Sequence, residues 1–359
     1  MKSYDVVEAG APLEETIRIT PQPTGSEVLL RVLAAGVCHT DLHLWDGYFN
    51  LGHGKRLSLA DRGIRLPHTL GHENVGEVMA IGPEVTDVSI GDRRILYPWI
   101  GCRACRDCRS GDEQLCTAPR FAGVFKPGGF SDHLLVPHSR YLFDLAALRP
   151  EQAAPLACSG LTAYSALKKI EPALQDNPVV IIGAGGLGLM CLALLTVMKS
   201  RGAIVIETDS AKRAAALDLG AIAAVDGADE AGLQKILELT DGGAAAAIDF
   251  VGSPQTMQTG LDLLRKGGSL IVVGMYGGEL PLAIPSLVLR SLAIRGSYVG
   301  SLQEMRELVG LVRQSGLPPF PVTTRPLSEI NQALNDLRAG KVIGRSVMQP
   351  YPQCGKADA

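Results

Sequence analysis

Cys102, Cys105, Cys108 and Cys116 stand in a C-x2-C-x2-C-x7-C array. Two short gaps and one longer gap let four thiolates close a tetrahedral shell around zinc. Such a shell has no open position, so the predicted role is structural. Arg103, Arg106 and Arg109 interleave with the cysteines, but Asp107, Asp112 and Glu113 offset their charge, which argues against a nucleic-acid knuckle. A second set is dispersed: Cys38-His39-Thr40-Asp41-Leu42-His43, then Gly71-His72-Glu73, then Cys158. Each segment is weak alone. Together, Cys38, His72 and Cys158 offer two thiolates and an imidazole, a donor set for a catalytic zinc with one position open to substrate. Asp41 is the candidate to hold the second ring nitrogen of His72. Glu73 is the candidate to approach the metal from behind.

A dinucleotide site is predicted from residues 179–190, VVIIGAGGLGLM. A β-branched run enters Gly183-Ala184-Gly185-Gly186-Leu187-Gly188, and a helix-forming run follows. That order points backbone N–H groups at a pyrophosphate. Gly183 is expected to make the turn, Gly185 to admit the phosphate and Gly188 to let helix and strand pack closely. A second apolar run, 203–206, ends at Glu207, roughly 20 residues downstream. An acid there accepts the ribose hydroxyls and repels a 2′-phosphate, which favours NAD over NADP. Lys212 and Arg213 are the countervailing cations.

These groups must be carried by elements, and the chain is long enough for two domains. It has 359 residues, 46% of them hydrophobic, and a net charge of −3, which suits a soluble globular protein without a nucleic-acid or anionic-membrane partner. The N-terminal stretch has no apolar core of a signal peptide, and the clustered cysteines suit metal rather than disulfides, so a cytoplasmic location is expected. The uncharged run 178–198 could span a bilayer by length, but its glycines and β-branched start favour a buried strand followed by a buried helix. Alternating segments at 14–20, 27–33, 75–82 and 87–95 predict short antiparallel strands. From about residue 160, strands at 179–182, 203–206, 223–225, 245–250, 269–273 and 292–297 alternate with helices such as 210–219 and 231–239. That pattern predicts an α/β chain: a β-rich domain plus a doubly wound parallel sheet. Helices at 302–314 and 327–339, a strand at 344–349 and a polar tail at 350–359 complete it.

The sequence resembles the zinc-containing medium-chain dehydrogenase/reductases, on the alcohol dehydrogenase branch. CHTDLH at 38–43, GHE at 71–73, the four-cysteine array, GAGGLG at 183–188 and GKVIGR at 340–345 carry the likeness, which covers roughly residues 5–349. It implies a GroES-like catalytic domain, 1–159 with 299–359, around a Rossmann domain, 160–298. It also implies NAD, two zinc ions per chain and a homo-oligomer, a tetramer before a dimer. By resemblance, Cys38, His72 and Cys158 bind the catalytic zinc, with Glu73 an occasional fourth ligand. Thr40 holds the substrate hydroxyl, and His43 receives its proton by way of the cofactor ribose. His39 and Arg345 reach the pyrophosphate, Lys212 touches the adenosine side, and Val273 and Ser297 line the nicotinamide carboxamide. The implied reaction is hydride transfer between a primary or secondary alcohol and NAD. Formaldehyde, polyol and threonine dehydrogenases share the scaffold. A zinc-free quinone or enoyl reductase is disfavoured by the two zinc sets. A zinc-stabilised nucleotide sensor is disfavoured by Thr40, His43 and Cys158 occurring together.

The chain departs from the family between His43 and His72. Residues 44–65 make this interval about a dozen residues longer than the common pattern, and loops of that length are often functional. Trp45, Tyr48 and Phe49 are expected to wall a substrate mouth suited to alcohols larger than ethanol. Lys55, Arg56, Arg62 and Arg65 make the segment basic, which suits either an anionic substrate or a solvated face. Trp99 is a second candidate wall. His53 and His68 are expected to be solvated or locally bonded, His133 and His138 structural, and Cys191 a core residue.

Overall fold

The computed structural model describes residues 1–145, 147–175, 177–227 and 229–351. Most of the predicted tail, with Cys354, lies outside the described residues.

The uncharged run breaks at Gly183 into the strand Val179–Ile182 and the helix Gly186–Val197. Among the described residues no helix is long and apolar enough to cross a membrane. Val179–Ile182 and Ala203–Ile206 are buried at every position, as β-branched strands covered on both faces must be. They lie in a six-stranded parallel sheet. Its order is Ala223–Val225, Ala203–Ile206, Val179–Ile182, Ala244–Asp249, Leu264–Val272, Ala293–Gly296. The order reverses between Val179–Ile182 and Ala244–Asp249, and the crevice at the carboxyl ends of these strands is where such sheets bind ligands.

A second, seven-stranded sheet runs Leu142–Asp144, Arg93–Leu96, Glu73–Ile81, Val28–Gly36, Arg345–Gln349, Val322–Pro326, with His133–Val136 also on Val28–Gly36. All its pairs are antiparallel except the last two strands of the path. The expected strand at 87–95 is shorter than predicted. Only Arg93–Leu96 pairs, because Ser89–Asp92 closes a turn, with the Ser89 N–H donating to Asp92 Oδ2 at 2.9 Å and Gly91 at φ +91°. The helix Leu302–Ser315 has a reciprocal cap: Ser301 Oγ accepts from the Glu304 N–H at 3.1 Å, and Glu304 Oε2 accepts from the Ser301 N–H at 2.7 Å. Its buried stripe, Leu302, Met305, Leu308 and Val312, packs on the helix Ser159–Lys168. One hydrophobic core runs from the second sheet into one face of the parallel sheet, and the other face has its own core.

The segment 44–65, expected as a loop, contains a hairpin of Tyr48–Gly52 and Lys55–Ser58. Gly52, His53 and Gly54 all take positive φ, which two glycines make accessible at the tip. The tip meets residues 277–279, in the segment that follows the parallel strand Leu264–Val272. The Glu279 carboxylate accepts from the His53 backbone N–H and lies 2.9 Å from His53 Nδ1. Asn50 packs against Gly277 so closely that an added Cβ there would lie 2.9 Å from the Asn50 carbonyl oxygen.

Candidate active site

Three element ends converge. Cys38 caps the helix His39–Asp46 where Val28–Gly36 turns over, His72 precedes Glu73–Ile81, and Cys158 precedes Ser159–Lys168. All three side chains are buried, and their donor atoms lie within 4.8 Å of one another. Asp41 fixes the geometry. Its Oδ1 is 3.2 Å from His72 Nδ1 and accepts from the Gly71 N–H at 3.3 Å, while its Oδ2 accepts from the Cys38 N–H at 2.9 Å. A carboxylate at Nδ1 places the ring proton there and leaves the Nε2 lone pair free. Nε2 is buried with no hydrogen-bond partner, the state of a nitrogen shaped for a metal. The Cys38 and Cys158 thiols share a hydrogen bond that pulls Cys38 below the ordinary cysteine range and pushes Cys158 above it. Two thiols, one already inclined to ionise, and an unpaired imidazole nitrogen fit zinc with a position left open.

The exposed lobe carries the second set. Cys102 and Cys108 sulfurs are 4.0 Å apart, and those of Cys105 and Cys116 are 3.9 Å apart. Backbone N–H groups of Cys102, Ala104, Cys105, Cys108 and Ala118 point at these sulfurs, which stabilises thiolates. Buried Glu113 anchors the lobe, accepting from the Gly101 N–H and the Tyr141 hydroxyl, both at 2.8 Å. Among the described residues every cysteine is free.

Glu73 lies behind the first set. Its Oε1 accepts from Arg345 Nη2 at 2.7 Å and from the Ser159 N–H at 3.1 Å, while Oε2 has no partner. Burial pushes the carboxyl up to about 7, against the pull of Arg345. Arg345 also borders the glycine-rich turn: a Cβ on Gly186 would lie 2.9 Å from its Nη1. One buried guanidinium therefore touches both the carboxylate beside the candidate metal donors and the predicted pyrophosphate cradle.

The glycines of that turn differ in surroundings. Gly183 takes φ +93° against Val251. A Cβ on Gly188 would come within 1.9 Å of the Gly183 carbonyl oxygen, so helix and strand touch there. Gly185 has nothing within 4 Å of such a Cβ, which leaves space for a ligand at the N-terminus of Gly186–Val197, with Leu187 in its first turn. Glu207 folds back on this turn, accepting from the Ala184 N–H at 2.8 Å and the Asp209 N–H at 3.0 Å. Arg213 is spent on the Glu207 and Thr208 carbonyls and on Asp226, so Lys212 is the freer of the two cations. His39 is within electrostatic reach of Lys212 and Arg345. Val273 and Ser297 follow the ends of neighbouring parallel strands, and Ser297 Oγ is buried without a partner.

Thr40 and His43 lie on His39–Asp46, with His43 one turn from Cys38. Desolvation lowers the His43 pKa, which keeps the imidazole neutral and able to accept a proton. Its ring is 4.9 Å from that of Phe49 on the hairpin. Trp99 is buried 5.4 Å from the His72 ring, braced by Phe121 at 5.4 Å and Tyr298 at 6.2 Å, and its Nε1 donates to the Ala157 carbonyl at 3.1 Å. Trp99 is thus a core residue packed beside the candidate metal donors.

Two expectations fail. Trp45 does not line an open mouth: it is buried with its Nε1 donating to the Ala11 carbonyl and the Arg338 guanidinium 4.0 Å over its ring. Two residues along the helix from His43 place Trp45 on the opposite face. His68 is not solvated; it is buried on the short strand beside Lys2–Val6, with Nε2 unpartnered, and burial lowers its pKa to about 4. Arg62 and Tyr298 escaped notice as a pair, because 236 positions separate them and neither belongs to a motif.

Comparison with known proteins agrees with this arrangement. A family model described as alcohol dehydrogenase GroES-like domain matches residues 24–146, and one described as zinc-binding dehydrogenase matches 186–314. An NAD-dependent alcohol dehydrogenase of Sulfurisphaera tokodaii is 36% identical, over 98% of this chain and 100% of its own. A D-arabinose 1-dehydrogenase (NADP(+)) of Saccharolobus solfataricus is 37% identical over 92% of each chain. The crystal structure of the alcohol dehydrogenase from Aeropyrum pernix superposes with a TM-score of 0.86 at 35% identity, covering 98% of this chain and 100% of that one. The chain belongs to the zinc-containing medium-chain dehydrogenase/reductase family, on its alcohol dehydrogenase branch.

Proposed function

We propose that the protein is an NAD-dependent zinc alcohol dehydrogenase in which Cys38, His72 and Cys158 hold the catalytic zinc and Cys102, Cys105, Cys108 and Cys116 a structural one. The observation that carries this reading is Arg345, which bridges Glu73 behind the metal donors and Gly186 at the dinucleotide turn. Metal and cofactor sites are thereby neighbours, as hydride transfer requires. When bound, the zinc supplies the acidity that makes an alcohol hydroxyl ionisable, and NAD supplies the hydride acceptor. The chain does the rest. Asp41 holds His72 in one tautomer. Thr40 Oγ1 hydrogen-bonds the substrate hydroxyl and gives up its own proton as it accepts the substrate's, and His43, neutral by desolvation, would receive the relayed proton by way of the cofactor ribose. Trp99 and Phe121 exclude water beside His72. Gly183, Gly185, Gly186, Leu187 and Gly188 cradle the pyrophosphate with His39 and Arg345. Glu207 holds the ribose with Lys212 nearby, and Val273 and Ser297 meet the carboxamide. Glu73, held by Arg345 through Oε1, would be an occasional fourth ligand through its unpartnered Oε2.

In this reading the division between domains falls at 159/160 and 298/299, and the substrate is an alcohol larger than ethanol, with Phe49 and Trp99 as apolar walls. The protein works in the cytoplasm as a homo-oligomer. Ala293–Gly296 is an edge strand with exposed Ile284, Val288 and Leu289 beside it, which suits edge-to-edge pairing of two copies and then a tetramer of two such pairs. The test is NADH formation by zinc-replete protein across primary, secondary, cyclic, aromatic and anionic alcohols, with zinc counted by elemental analysis and mass by light scattering. Turnover with two zincs per chain is expected. No NAD-linked turnover of any alcohol refutes the activity, and one zinc in fully active protein refutes the two-site assignment.

A further inference from the structure

We infer that Arg62 is the specificity residue of the substrate cleft, and that it selects hydroxy acids whose carboxylate is several carbons away from the hydroxyl. The inference rests on the alcohol dehydrogenase reading and names its substrate class.

Arg62 follows the hairpin in a tight turn. Its backbone N–H donates to the Leu59 carbonyl, Gly63 to Ala60 and Ile64 to Leu59, and the buried side chains of Leu59 and Ile64 pin the turn to the core. The guanidinium is therefore delivered from a fixed base. It lies 4.7 Å over the Phe49 ring and 4.9 Å over the Phe125 ring, and it is within electrostatic reach of Tyr298. Those rings connect it to the chemistry on two sides. Phe49 packs at a tilt against His43, and Tyr298 meets Trp99, which meets His72. Tyr298 is also within electrostatic reach of Cys158.

Among the described residues Arg62 forms no ion pair. The adjacent carboxylate, Asp61, is committed to Ser58, accepting from its N–H at 2.9 Å and its hydroxyl at 2.7 Å. The guanidinium is half-buried, and desolvation lowers its pKa. Aromatic faces offset part of the cost of burying a cation, but they offer its N–H donors no oxygen acceptor of their own. A carboxylate matches that fork with two parallel hydrogen bonds. A phosphate dianion would need a second cation in the same box, and Tyr298, Phe49 and Phe125 supply none. The hydroxyl end of the substrate belongs beside His72 and the carboxylate end at Arg62, with Trp99, Tyr298 and Phe49 along the methylenes between them. Two ring contacts separate the ends, so a 2-hydroxy acid is too short.

The test uses the zinc-replete enzyme with NAD, a series of straight-chain ω-hydroxyalkanoates, the n-alkanols of equal carbon number, and phosphate monoesters of the matching diols. The readout is the ratio of kcat/KM for acid to alkanol, in the native protein and in R62Q and R62K. The native ratio is expected to exceed one and to rise with chain length to an optimum. R62Q is expected to lower it about tenfold to a hundredfold, mainly through KM, the worth of a hydrogen bond to a charged group; R62K should restore part of it. A native ratio of one or below overturns the assignment while leaving the alcohol dehydrogenase reading intact, and it decides the matter even if R62Q does not fold. Equal loss on acids and alkanols in R62Q makes Arg62 a brace for the hairpin and also overturns it, as does a preference for the phosphate esters. If no alcohol is turned over, the activity reading fails on its own. Calorimetric titration of hydroxy acid into the NAD complex then decides the site, since absence of binding overturns it and binding weakened by R62Q upholds it.

Discussion

Asp41→Asn removes one charge and almost no volume, yet it should cost the protein one zinc of its two. The carboxylate serves three groups with two oxygens: His72 Nδ1 and the Gly71 N–H at Oδ1, and the Cys38 N–H at Oδ2. An asparagine can place its carbonyl at one of those positions only. With the carbonyl toward His72, the amide NH2 confronts the Cys38 N–H, donor against donor, in a site with no exposure at Asp41. Leaving a buried N–H unsatisfied costs about 1–3 kcal/mol. The carbonyl also holds the His72 tautomer less firmly than a carboxylate does. A loss of that size, at about 1.4 kcal/mol per tenfold, predicts a ten- to hundredfold weaker catalytic zinc, in line with other altered metal-supporting carboxylates. The assay is competition with a chromogenic chelator followed by elemental analysis. At a chelator strength that leaves native protein with two zincs, D41N should retain one, held by the cysteine lobe, and regain activity in excess zinc. Identical competition curves for the two proteins would refute the role given to Asp41 and the assignment of His72 Nε2 to the metal.

Gly185→Ala should fold normally, since its backbone at φ −74° suits alanine and nothing lies within 4 Å of the added methyl, while raising the KM for NAD at least about tenfold; Gly188→Ala, meeting the Gly183 carbonyl, should instead lower Tm, and a normal NAD KM in G185A would refute the cradle. Glu207→Gln keeps the shape that binds the Ala184 N–H but removes the charge, so the kcat/KM ratio of NADP to NAD should rise about tenfold, and an unchanged ratio would count against Glu207 as the discriminator. Buried His68 is held neutral, its pKa lowered from 6.5 to about 4. The unfolded chain binds a proton in that window that the folded chain refuses, so stability is full above 6.5 and falls with pH, by on the order of 3 kcal/mol across the whole window. Denaturant midpoints at pH 7 and 5 should converge in His68→Leu relative to the native protein, and parallel losses would show that other groups carry the acid sensitivity.

The parts of the site that could be read from the sequence are those in which chemistry and spacing coincide locally. The four-cysteine array, the glycine turn and the acid after the second strand each occupy a short stretch whose geometry the backbone imposes. The two-thiol, one-imidazole set is harder, because Cys38, His72 and Cys158 come from three elements; the donor chemistry suggests the set, and the resemblance assigns it to the catalytic zinc. The parallel sheet was legible because strands buried on both faces read as unbroken apolar runs. What escaped was set by packing between distant segments. Nothing near Glu73 announces Arg345, 272 positions away, and nothing in the polar stretch 50–65 announces a hairpin whose partner is Glu279. Trp45 was misjudged because proximity along the chain to His43 says little about direction on a helix.

The sheet whose strand ends carry the candidate metal ligands Cys38 and His72 is not contiguous in the chain. Its strands at Val28–Gly36 and Glu73–Ile81 are made early, but their neighbour Arg345–Gln349 is made after the whole of the parallel sheet. During synthesis, therefore, the nucleotide half has every strand it needs once residue 296 has emerged, while the half begun first still has an open edge at Val28–Gly36. Glu73 waits without its guanidinium until residue 345 arrives. The order of completion on the ribosome is the reverse of the order of translation, and the metal-binding half spends that interval as an incomplete sheet, the condition in which nascent chains most need shielding from one another.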